Sequence, residues 1–191
     1  MHPDWSTLGL DALPETLWSV LTEAVRPGAH PWRTPVLATR GHRGGEARVV
    51  VLRAVTLPGF ELIAFSDVRA AKVVELEAHP EATWVFYDPA QQVQLRAFSE
   101  VRMHYRDPVA QTYWHRLPAE HQSRYGAGAA PGMPRLDPNS PAPAAVGDER
   151  QFAVLVGAVR ALDILWIGGH PHRRAKFRRV RTRWTGSWVE P

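Results

Sequence analysis

The stretch ILWIGGHPHRRAKF, residues 164–177, joins an apolar strand to a Gly-Gly turn and then to a dense group of cations. An aromatic residue, Trp166, stands just before the turn. Cations that lose water without gaining a partner cost free energy, so Arg-Arg-x-Lys beside an apolar strand indicates a bound ligand. An anion attached to a flat ring, such as a phosphorylated ring-bearing cofactor, would suit this combination of an aromatic residue and cations.

Length and composition indicate one globular domain spanning 1–191. The 191 residues are enough to bury a sizeable core, and 45% of them are hydrophobic and 22% charged. The absence of cysteine excludes disulfides, thiolate metal ligands and thiol nucleophiles. Neither a signal peptide nor an apolar run of membrane-spanning length is visible, so we expect a soluble, cytoplasmic protein without membrane contact.

Positive charge is concentrated near the C-terminus, where seven of the eleven residues from Arg173 to Arg183 are basic. Such a run binds nucleic acid, binds a phosphate-bearing ligand, or forms a solvated face. A sequence pI of about 9.9 fits a nucleic-acid-binding β-barrel. Only Phe177 lies within the run to stack on bases, so nucleic acid is the less favoured partner.

Hydrophobic spacing predicts a mainly β (α+β) protein, an antiparallel barrel with helices packed outside. An N-terminal helix places Leu13, Leu17 and Leu21 on one face, and further helices are predicted after Asp67 and Asp107 as N-caps. Strands are predicted over 34–40, 48–56, 60–66, 83–87, 92–105, 152–159, 162–167, 176–181 and 184–189.

Residues 126–148 differ from the rest of the chain in composition. They are rich in Ala, Pro and Gly and contain few large apolar side chains. We predict a mobile loop there, too short to separate two stable cores.

The segment FSDVRAAK, residues 65–72, runs from the end of a strand into the start of a helix. A helix N-terminus offers N–H groups and a partial positive charge to an anion. Ser66 adds a hydroxyl donor, and Arg69 and Lys72 add full charges. This combination predicts a phosphate pocket, and the alternative is an ordinary N-capped surface helix.

Two strands carry further candidate binding residues. In RVVVLR, residues 48–53, alternation places Arg48 and Arg53 on opposite faces, either to hold a ligand or only to flank a buried strand. Gln92 and Gln94 share a face of the long strand, where a carboxamide can donate and accept hydrogen bonds at the edge of a heterocycle or remain solvated. Trp166 is a wall for a flat ring or a core residue.

No metal site is predicted. His170 and His172 have no nearby carboxylate or third ligand to complete a zinc site. The sequence also contains no Gly-x-Ser-x-Gly elbow, phosphate loop or Rossmann fingerprint.

Five segments, in this order, resemble the pyridoxamine 5′-phosphate oxidase-like family of FMN-binding split barrels. The resemblance covers residues 31–191, and the segments are RVVVLR (48–53), FSDVRAAK (65–72), QVQL (92–95), WIGGHPHRRAK (166–176) and WTGSWVEP (184–191). They are similar to the family's Arg-x-Val-Leu-Leu-Lys strand, its strand-to-helix phosphate segment, its Gln-Val-x-Val strand, its Trp-x-Gly-Gly segment and its last strand. Arg53 stands where the family has lysine.

The resemblance implies a homodimeric split β-barrel that holds FMN in the groove between subunits. It implies an oxidoreductase in which a small substrate passes a hydride to flavin N5. Arg48, Ser66 and Lys72 would address the phosphate, Gln92 would face the isoalloxazine ring, and a second subunit would supply Trp166 and Lys176. The full set of implied cofactor contacts is Arg48, Val49, Val50, Val51, Arg53, Phe65, Ser66, Arg69, Lys72, Gln92, Gln94, Trp166 and Lys176.

The substrate contacts that the resemblance implies are Tyr113, His172 and Arg174. True pyridoxamine phosphate oxidases use an Arg-x-His pair near the C-terminus, whereas this chain has the two residue types in changed order. Arg116 comes one residue early, and His121 occupies an expected serine position. This pattern is closer to a divergent bacterial subgroup described only as FMN-binding. The substrate and the catalytic residues therefore stay open, as do a non-catalytic flavin module and a deazaflavin or haem ligand.

Overall fold

A computed structural model describes residues 3–126, 128–135, 137, 139 and 146–191. Within these residues nine strands form a single antiparallel sheet. They are β1 (Val36–Gly41), β2 (Gly44–Val49), β3 (Ala54–Thr56), β4 (Glu61–Asp67), β5 (Glu81–Asp88), β6 (Val93–His104), β7 (Phe152–Trp166), β8 (Arg173–Val180) and β9 (Arg183–Val189). Their order is β2-β1-β5-β6-β7-β4-β3, with β8 on β7 and β9 on β8.

Four α-helices flank the sheet in the described part of the chain. They are α1 (Leu13–Ala24), α2 (Ala71–Ala78), α3 (Pro108–Trp114) and α4 (Ala119–Gln122). The predicted apolar face of α1 is confirmed, because Leu13, Leu17 and Leu21 are buried in the main core. No described helix is long and apolar enough to cross a lipid bilayer.

Alternation along the strands separates the core from a second surface. In β6, Val93 and Leu95 point into the main core, whereas the residues between them point to the opposite side. We call that opposite side the outer sheet face. The outer sheet face includes Val36, Val49, Val85, Tyr87, Gln94, Arg96, Phe98, Asp163, Leu165, Arg174 and Lys176.

The strand β7 carries the split of the barrel. Its first half, from Phe152, pairs with β4, and its second half, from Ala161, pairs with β8, while β6 pairs with both halves. The register shifts between Phe98 and Ser99 so that Arg160 of β7 is left without an opposite residue in β6, and this bulge lies where β7 changes partner. The sequence predicted two strands here, but one strand continues because the sheet bends without breaking. The predicted antiparallel split barrel is confirmed.

Two further local predictions are wrong. The predicted strand 48–56 is divided into β2 and β3, because residues 50–53 cross from β1 to β4: Val50 donates its N–H to Pro35 at 2.9 Å, and Arg53 donates to Ile63 at 2.7 Å. Asp67 is the last residue of β4 rather than the N-cap of α2. Ala70 occupies that cap, since the Asp67 carboxylate binds Arg69 instead.

A second, aromatic core lies against the other side of β4 and β7. Phe65 and Phe152 contact edge to face at 5.0 Å, and Tyr113 of α3 stands 5.4 Å from Phe65. The predicted N-cap of α3 is confirmed, because the Asp107 carboxylate accepts the Ala110 N–H at 2.9 Å. This core fixes α3 beside the end of β4.

The ends of the predicted loop 126–148 meet. The Asp148 N–H donates to the Tyr125 carbonyl at 3.0 Å. Of the predicted loop, 127, 136, 138 and 140–145 lie outside the described residues, and its mobility stays a prediction.

Candidate functional site

Arg48, Ser66 and Lys72 lie together where β4 leads into α2, and we call them the anion corner. The buried Ser66 hydroxyl accepts a hydrogen bond from Lys72 Nζ at 3.2 Å. Burial, and next the charge of Arg48, lower the pKa of Lys72 below its usual value. Lys72 forms no ion pair with any carboxylate of the described residues, so this half-buried cation is available to an anion.

Glu75 and Thr39 hold Arg48, and neither residue was identified from the sequence. Arg48 Nη2 lies 2.7 Å from Glu75 Oε2 in an ion pair whose carboxylate side chain is only 12% exposed. Thr39 Oγ1 donates to the same carboxylate oxygen at 2.5 Å and also accepts from Arg48. The spacing between Lys72 and Glu75, three residues on one helix, could have indicated that both face the same side.

Arg69 is separate from the anion corner in its contacts. Its guanidinium binds the Asp67 carboxylate, with Nη2 at 2.7 Å, and donates to the Gly128 carbonyl at 3.0 Å. Burial would raise the pKa of Asp67, but the hydrogen bonds from Arg69 outweigh it, and the pKa is lowered. Arg69 is therefore neutralised by Asp67 and tied to the segment after Gly126.

Arg53 lies over the second core, in a group that we call the aromatic corner: Arg53, Phe65, Tyr113 and Tyr125. The Arg53 guanidinium stands 5.5 Å from the centre of the Phe65 ring and pairs with no carboxylate of the described chain. Burial raises the pKa of both tyrosines, and the charge of Arg53 opposes this for Tyr125. A cation beside two protonated phenols can bind an anionic group.

One row of side chains on the outer sheet face connects β2 to β8. Val36 pairs with both Val49 and Val85, and the row continues through Arg96 and Asp163 to Lys176. Five steps of about 4.8 Å between neighbouring strands give a path of about 24 Å along the curved sheet. Val49 and Lys176 therefore share a face and lie five strand steps apart along it.

The two glutamines occupy different positions. Gln94 lies on the outer sheet face between Tyr87 and Leu165, as the sequence predicted. Gln92 precedes β6 in a left-handed turn with φ 51°, and its carbonyl accepts the Ile167 N–H at 3.0 Å. The predicted shared strand face is therefore wrong for Gln92, because β6 begins only at Val93.

Asp163 holds two arginines on the outer sheet face. Arg174 donates to both Asp163 oxygens at 3.0 Å, and Arg96 binds the same carboxylate. Burial would raise the pKa of Asp163, but these hydrogen bonds outweigh it, and the pKa is lowered. Arg174, predicted to contact substrate, is thus held by an internal carboxylate.

The turn after β7 is shaped around Trp166. A Cβ atom on Gly168 would lie 2.6 Å from the indole Nε1, and one on Gly169 would lie 2.9 Å from Cη2. Only glycine lets the indole lie against this turn. His172 is exposed beyond the turn, and its ring stacks on that of His170 at 4.8 Å.

The basic run does not form one exposed strip. Arg173 donates to the Trp5 carbonyl at 2.6 Å and stacks on Trp188, and Arg179 donates to the Gly59 carbonyl at 2.5 Å. With Arg174 on Asp163, three cations of the run serve the fold. Lys176, Arg178, Arg181 and Arg183 remain exposed.

Most of the predicted site residues therefore form two groups, apart from Arg69 on Asp67, Gln94 on the outer sheet face and Gln92 in the turn before β6. The first contains the anion corner, the aromatic corner and the chain 49–51, where Val50 is buried. The second contains Trp166, His172, Arg174 and Lys176 near the β7–β8 turn. Ser66 pairs with Ala153 at one end of β7, and Trp166 lies at the other end, about 40 Å further along the strand. In the described ranges, no three His, Cys, Asp or Glu side chains cluster as metal ligands would.

Comparison with known proteins identifies the fold. No protein-family model matches the chain, and no curated protein matches it in sequence. A pyridoxamine 5′-phosphate oxidase-related, FMN-binding protein from Nostoc punctiforme superposes with TM-score 0.75 at 20% identity, over 97% of this chain and 100% of that one. PhzG from Burkholderia lata, solved with tetrahydrophenazine-1-carboxylic acid, gives TM-score 0.73 at 15% identity, over 100% and 98%.

A third solved structure, with a lower TM-score, has a related fold. A protein from Clostridium acetobutylicum, related to general stress protein 26 and placed in the pyridoxinephosphate oxidase family, gives TM-score 0.57 at 10% identity over 86% of this chain and 95% of that one. The chain therefore has the fold of the pyridoxamine 5′-phosphate oxidase-related proteins, and the resemblance predicted from five short segments is confirmed at the level of fold.

Proposed function

We propose that this chain binds FMN between two copies of itself and acts as an oxidoreductase on a small anionic substrate. The observation that carries the proposal is the anion corner, where Arg48, Ser66 and Lys72 converge at the start of α2. This corner lies in a fold that FMN-binding proteins share.

The residues of the anion corner fit a phosphate monoester. Lys72 bonds only a neutral hydroxyl, and the first turn of α2 offers N–H groups that have no partner within the helix. Removing Lys72 from water without a counter-charge costs free energy, and a dianionic phosphate offsets that cost. Arg69 contributes less, because Asp67 already pairs with it.

The outer sheet face would receive the ring of the flavin. Val49 and Val85 offer apolar contact beside the chain 49–51, and the Gln94 carboxamide can both donate and accept at a heterocycle edge. A bound flavin would supply the redox chemistry, as the acceptor of a hydride from the substrate. The chain's part is to orient the ring and to exclude water.

Homodimerisation would complete the site. Trp166 and Lys176 lie at the far end of β7 from Ser66, so one chain does not close around one flavin. The outer sheet face also exposes large apolar side chains, with Val49 at 65% and Tyr87 at 48% exposure. Pairing two such faces, with about 2,000 Å² buried, would bring Trp166 and Lys176 of one copy to the anion corner of the other.

The aromatic corner is the proposed substrate end. Arg53 is an unpaired cation in the described chain, and Tyr113 stands on the same Phe65 ring. These groups suit a carboxylate or phosphate on the substrate. His172 of the second copy is a further proposed contact, whereas Arg174 would first have to leave Asp163.

The bond between Arg174 and Asp163 favours one alternative function, a flavin-binding module without turnover, because it occupies a predicted substrate contact. The two functions differ in whether any reductant is consumed, so one preparation tests both. We expect freshly purified protein to be yellow and to release FMN that is identified by mass. Colourless protein that stays colourless after incubation with FMN would contradict both.

Oxygen consumption distinguishes the oxidoreductase from the flavin-binding module. With pyridoxamine 5′-phosphate and other small anionic reductants, consumption that needs the bound flavin supports the oxidoreductase. Lys72→Met should weaken FMN binding and lower flavin-dependent oxygen consumption together, whereas Arg26→Met, which removes an exposed cation, is the matched control and should change neither.

A further inference from the structure

Glu75 contacts one cation of the anion corner and lies within electrostatic reach of the other. Its Oε2 atom is 2.7 Å from Arg48 Nη2, and it influences Lys72, three residues earlier on α2. Thr39, on β1, donates to the same oxygen at 2.5 Å. Three elements, β1, β2 and α2, therefore meet at this carboxylate.

Two neighbouring cations need such a carboxylate when no ligand is bound. Arg48 and Lys72 are both partly buried and repel each other, which adds to the effect of burial in lowering the pKa of Lys72. Glu75 and the Asp67 carboxylate act in the opposite direction. Without Glu75, Arg48 would lose its anchor and Lys72 would lose part of its charge at alkaline pH.

We propose that Glu75 is the positioning residue of the anion corner: with Thr39 it anchors the Arg48 guanidinium and offsets its repulsion of Lys72. Both cations are then in place before a phosphate arrives. The inference rests on the proposed function where it names that phosphate as the one of FMN. Glu75 itself need not touch the ligand.

The geometry leaves donors for the phosphate. A guanidinium has five N–H donors; the contacts to Thr39 and Glu75 use one hydrogen on each terminal nitrogen, and Nη1 also makes a long contact of 3.5 Å to the Glu46 carbonyl. Nε of Arg48 makes no hydrogen bond to the described residues. One edge of the guanidinium is thus anchored, while other N–H groups remain for a ligand.

Three variants test the role of Glu75, with FMN, riboflavin and inorganic phosphate as probes from neutral to alkaline pH. We expect Glu75→Ala to weaken FMN about tenfold, the loss of one charge-assisted hydrogen bond. Riboflavin, which has no phosphate, should bind unchanged. Glu75→Gln keeps an acceptor for Arg48, so it should retain FMN at neutral pH but lose it at lower pH than the unchanged protein. Thr39→Val should weaken FMN by less than Glu75→Ala does and leave riboflavin affinity unchanged.

The matched control is Glu77→Gln, which removes the same charge from the same helix. Among the described residues Glu77 hydrogen-bonds only the Tyr105 hydroxyl, at 3.4 Å, so all three affinities should stay unchanged. Equal losses of FMN and riboflavin would show a merely structural role and overturn the proposal. An unshifted pH profile in Glu75→Gln would overturn it as well.

The phosphate probe separates this proposal from the proposed function. If the unchanged protein binds phosphate but no flavin, the FMN proposal fails, and the three variants are then compared by phosphate affinity. If it binds neither, no anion corner exists and both proposals fall. Should Glu75→Ala not fold, Glu75→Gln and Thr39→Val decide the outcome.

Discussion

Asp163 and Arg174 form a bidentate pair across β7 and β8, with both hydrogen bonds at 3.0 Å. The pair is diagonal, because Asp163 lies directly opposite Lys176 and Arg174 directly opposite Leu165. A carboxylate that is 3% exposed is thus fixed on a face that also carries exposed valine, tyrosine and phenylalanine.

The pair predicts acid-sensitive stability. The pKa of Asp163 is lower in the folded chain, so its stabilisation is present above the unfolded pKa of about 3.9 and is lost as pH falls through the folded value. We expect Asp163→Asn to lower the free energy of unfolding by about 2 kcal/mol at neutral pH, since the arginines are partly solvated. Urea denaturation should show this difference shrink below about pH 4. Glu120→Gln, on the surface, is the control, and an equally stable Asp163→Asn would contradict the prediction.

Lys72 predicts the pH dependence of cofactor binding. Burial and Arg48 lower the pKa of Lys72, so FMN affinity should fall with rising pH before an ordinary lysine would lose its proton. Lys72→Met should weaken FMN about tenfold to a hundredfold, with riboflavin little changed. Lys72→Arg should bind FMN without the alkaline loss, because arginine stays charged.

Fluorescence titration of flavin measures each of these affinities. Arg26→Met removes a charge from an exposed pair with Glu23 and serves as control. An alkaline loss that persists in Lys72→Arg would assign the titration to another group.

Gly168 predicts a steric limit at the β7–β8 turn. In Gly168→Ala the new Cβ would lie 2.6 Å from Trp166 Nε1 and 2.9 Å from the Gln91 carbonyl, so the indole must move. We expect a loss of about 1–3 kcal/mol in unfolding free energy and a changed tryptophan emission spectrum. Gly9→Ala, which meets nothing within 4 Å, should change neither. Unchanged emission and stability in Gly168→Ala would show that the turn tolerates a side chain.

The outer sheet face predicts the oligomeric state. If two copies pair through it, Phe98→Asp should place unpaired charges in the interface and shift the protein to monomers in sedimentation velocity. Flavin should be lost at the same time, because Trp166 and Lys176 would no longer be supplied. Leu57→Asp, in the turn between β3 and β4, is the control for an exposed apolar residue away from this face. A dimer that survives Phe98→Asp would place the interface elsewhere.

Much of the fold follows from local pattern. The helix α1 was predictable from the spacing of Leu13, Leu17 and Leu21, and the alternation in β6 separated its buried side from Gln94. Hydrophobic pattern does not report a bend, however, which is why β7 was predicted as two strands. Nor does it report which donor a carboxylate will bind. The prediction therefore missed that Asp67 binds Arg69 and does not cap the α2 backbone.

The candidate site was predictable by residue type but not by pairing. Arg48, Ser66 and Lys72 could be selected because cations and a hydroxyl stand near a helix start. The i, i+3 spacing puts Glu75 on the same side of α2 as Lys72, but the sequence does not reveal that α2 packs against β1 or that Glu75 reaches Arg48 of β2. Arg174 shows the converse: its charge indicated a ligand, but the structure supplies Asp163 from the neighbouring strand.

The hydrogen bond from Asp148 to Tyr125 closes the chain excursion between them into a ring that begins and ends at one place. Closure entropy depends only on the logarithm of contour length, so halving such a segment changes its cost by about 0.6 kcal/mol. Inserting a reporter peptide between Gly128, whose carbonyl binds Arg69, and Asp148 should therefore cost the barrel little closure entropy.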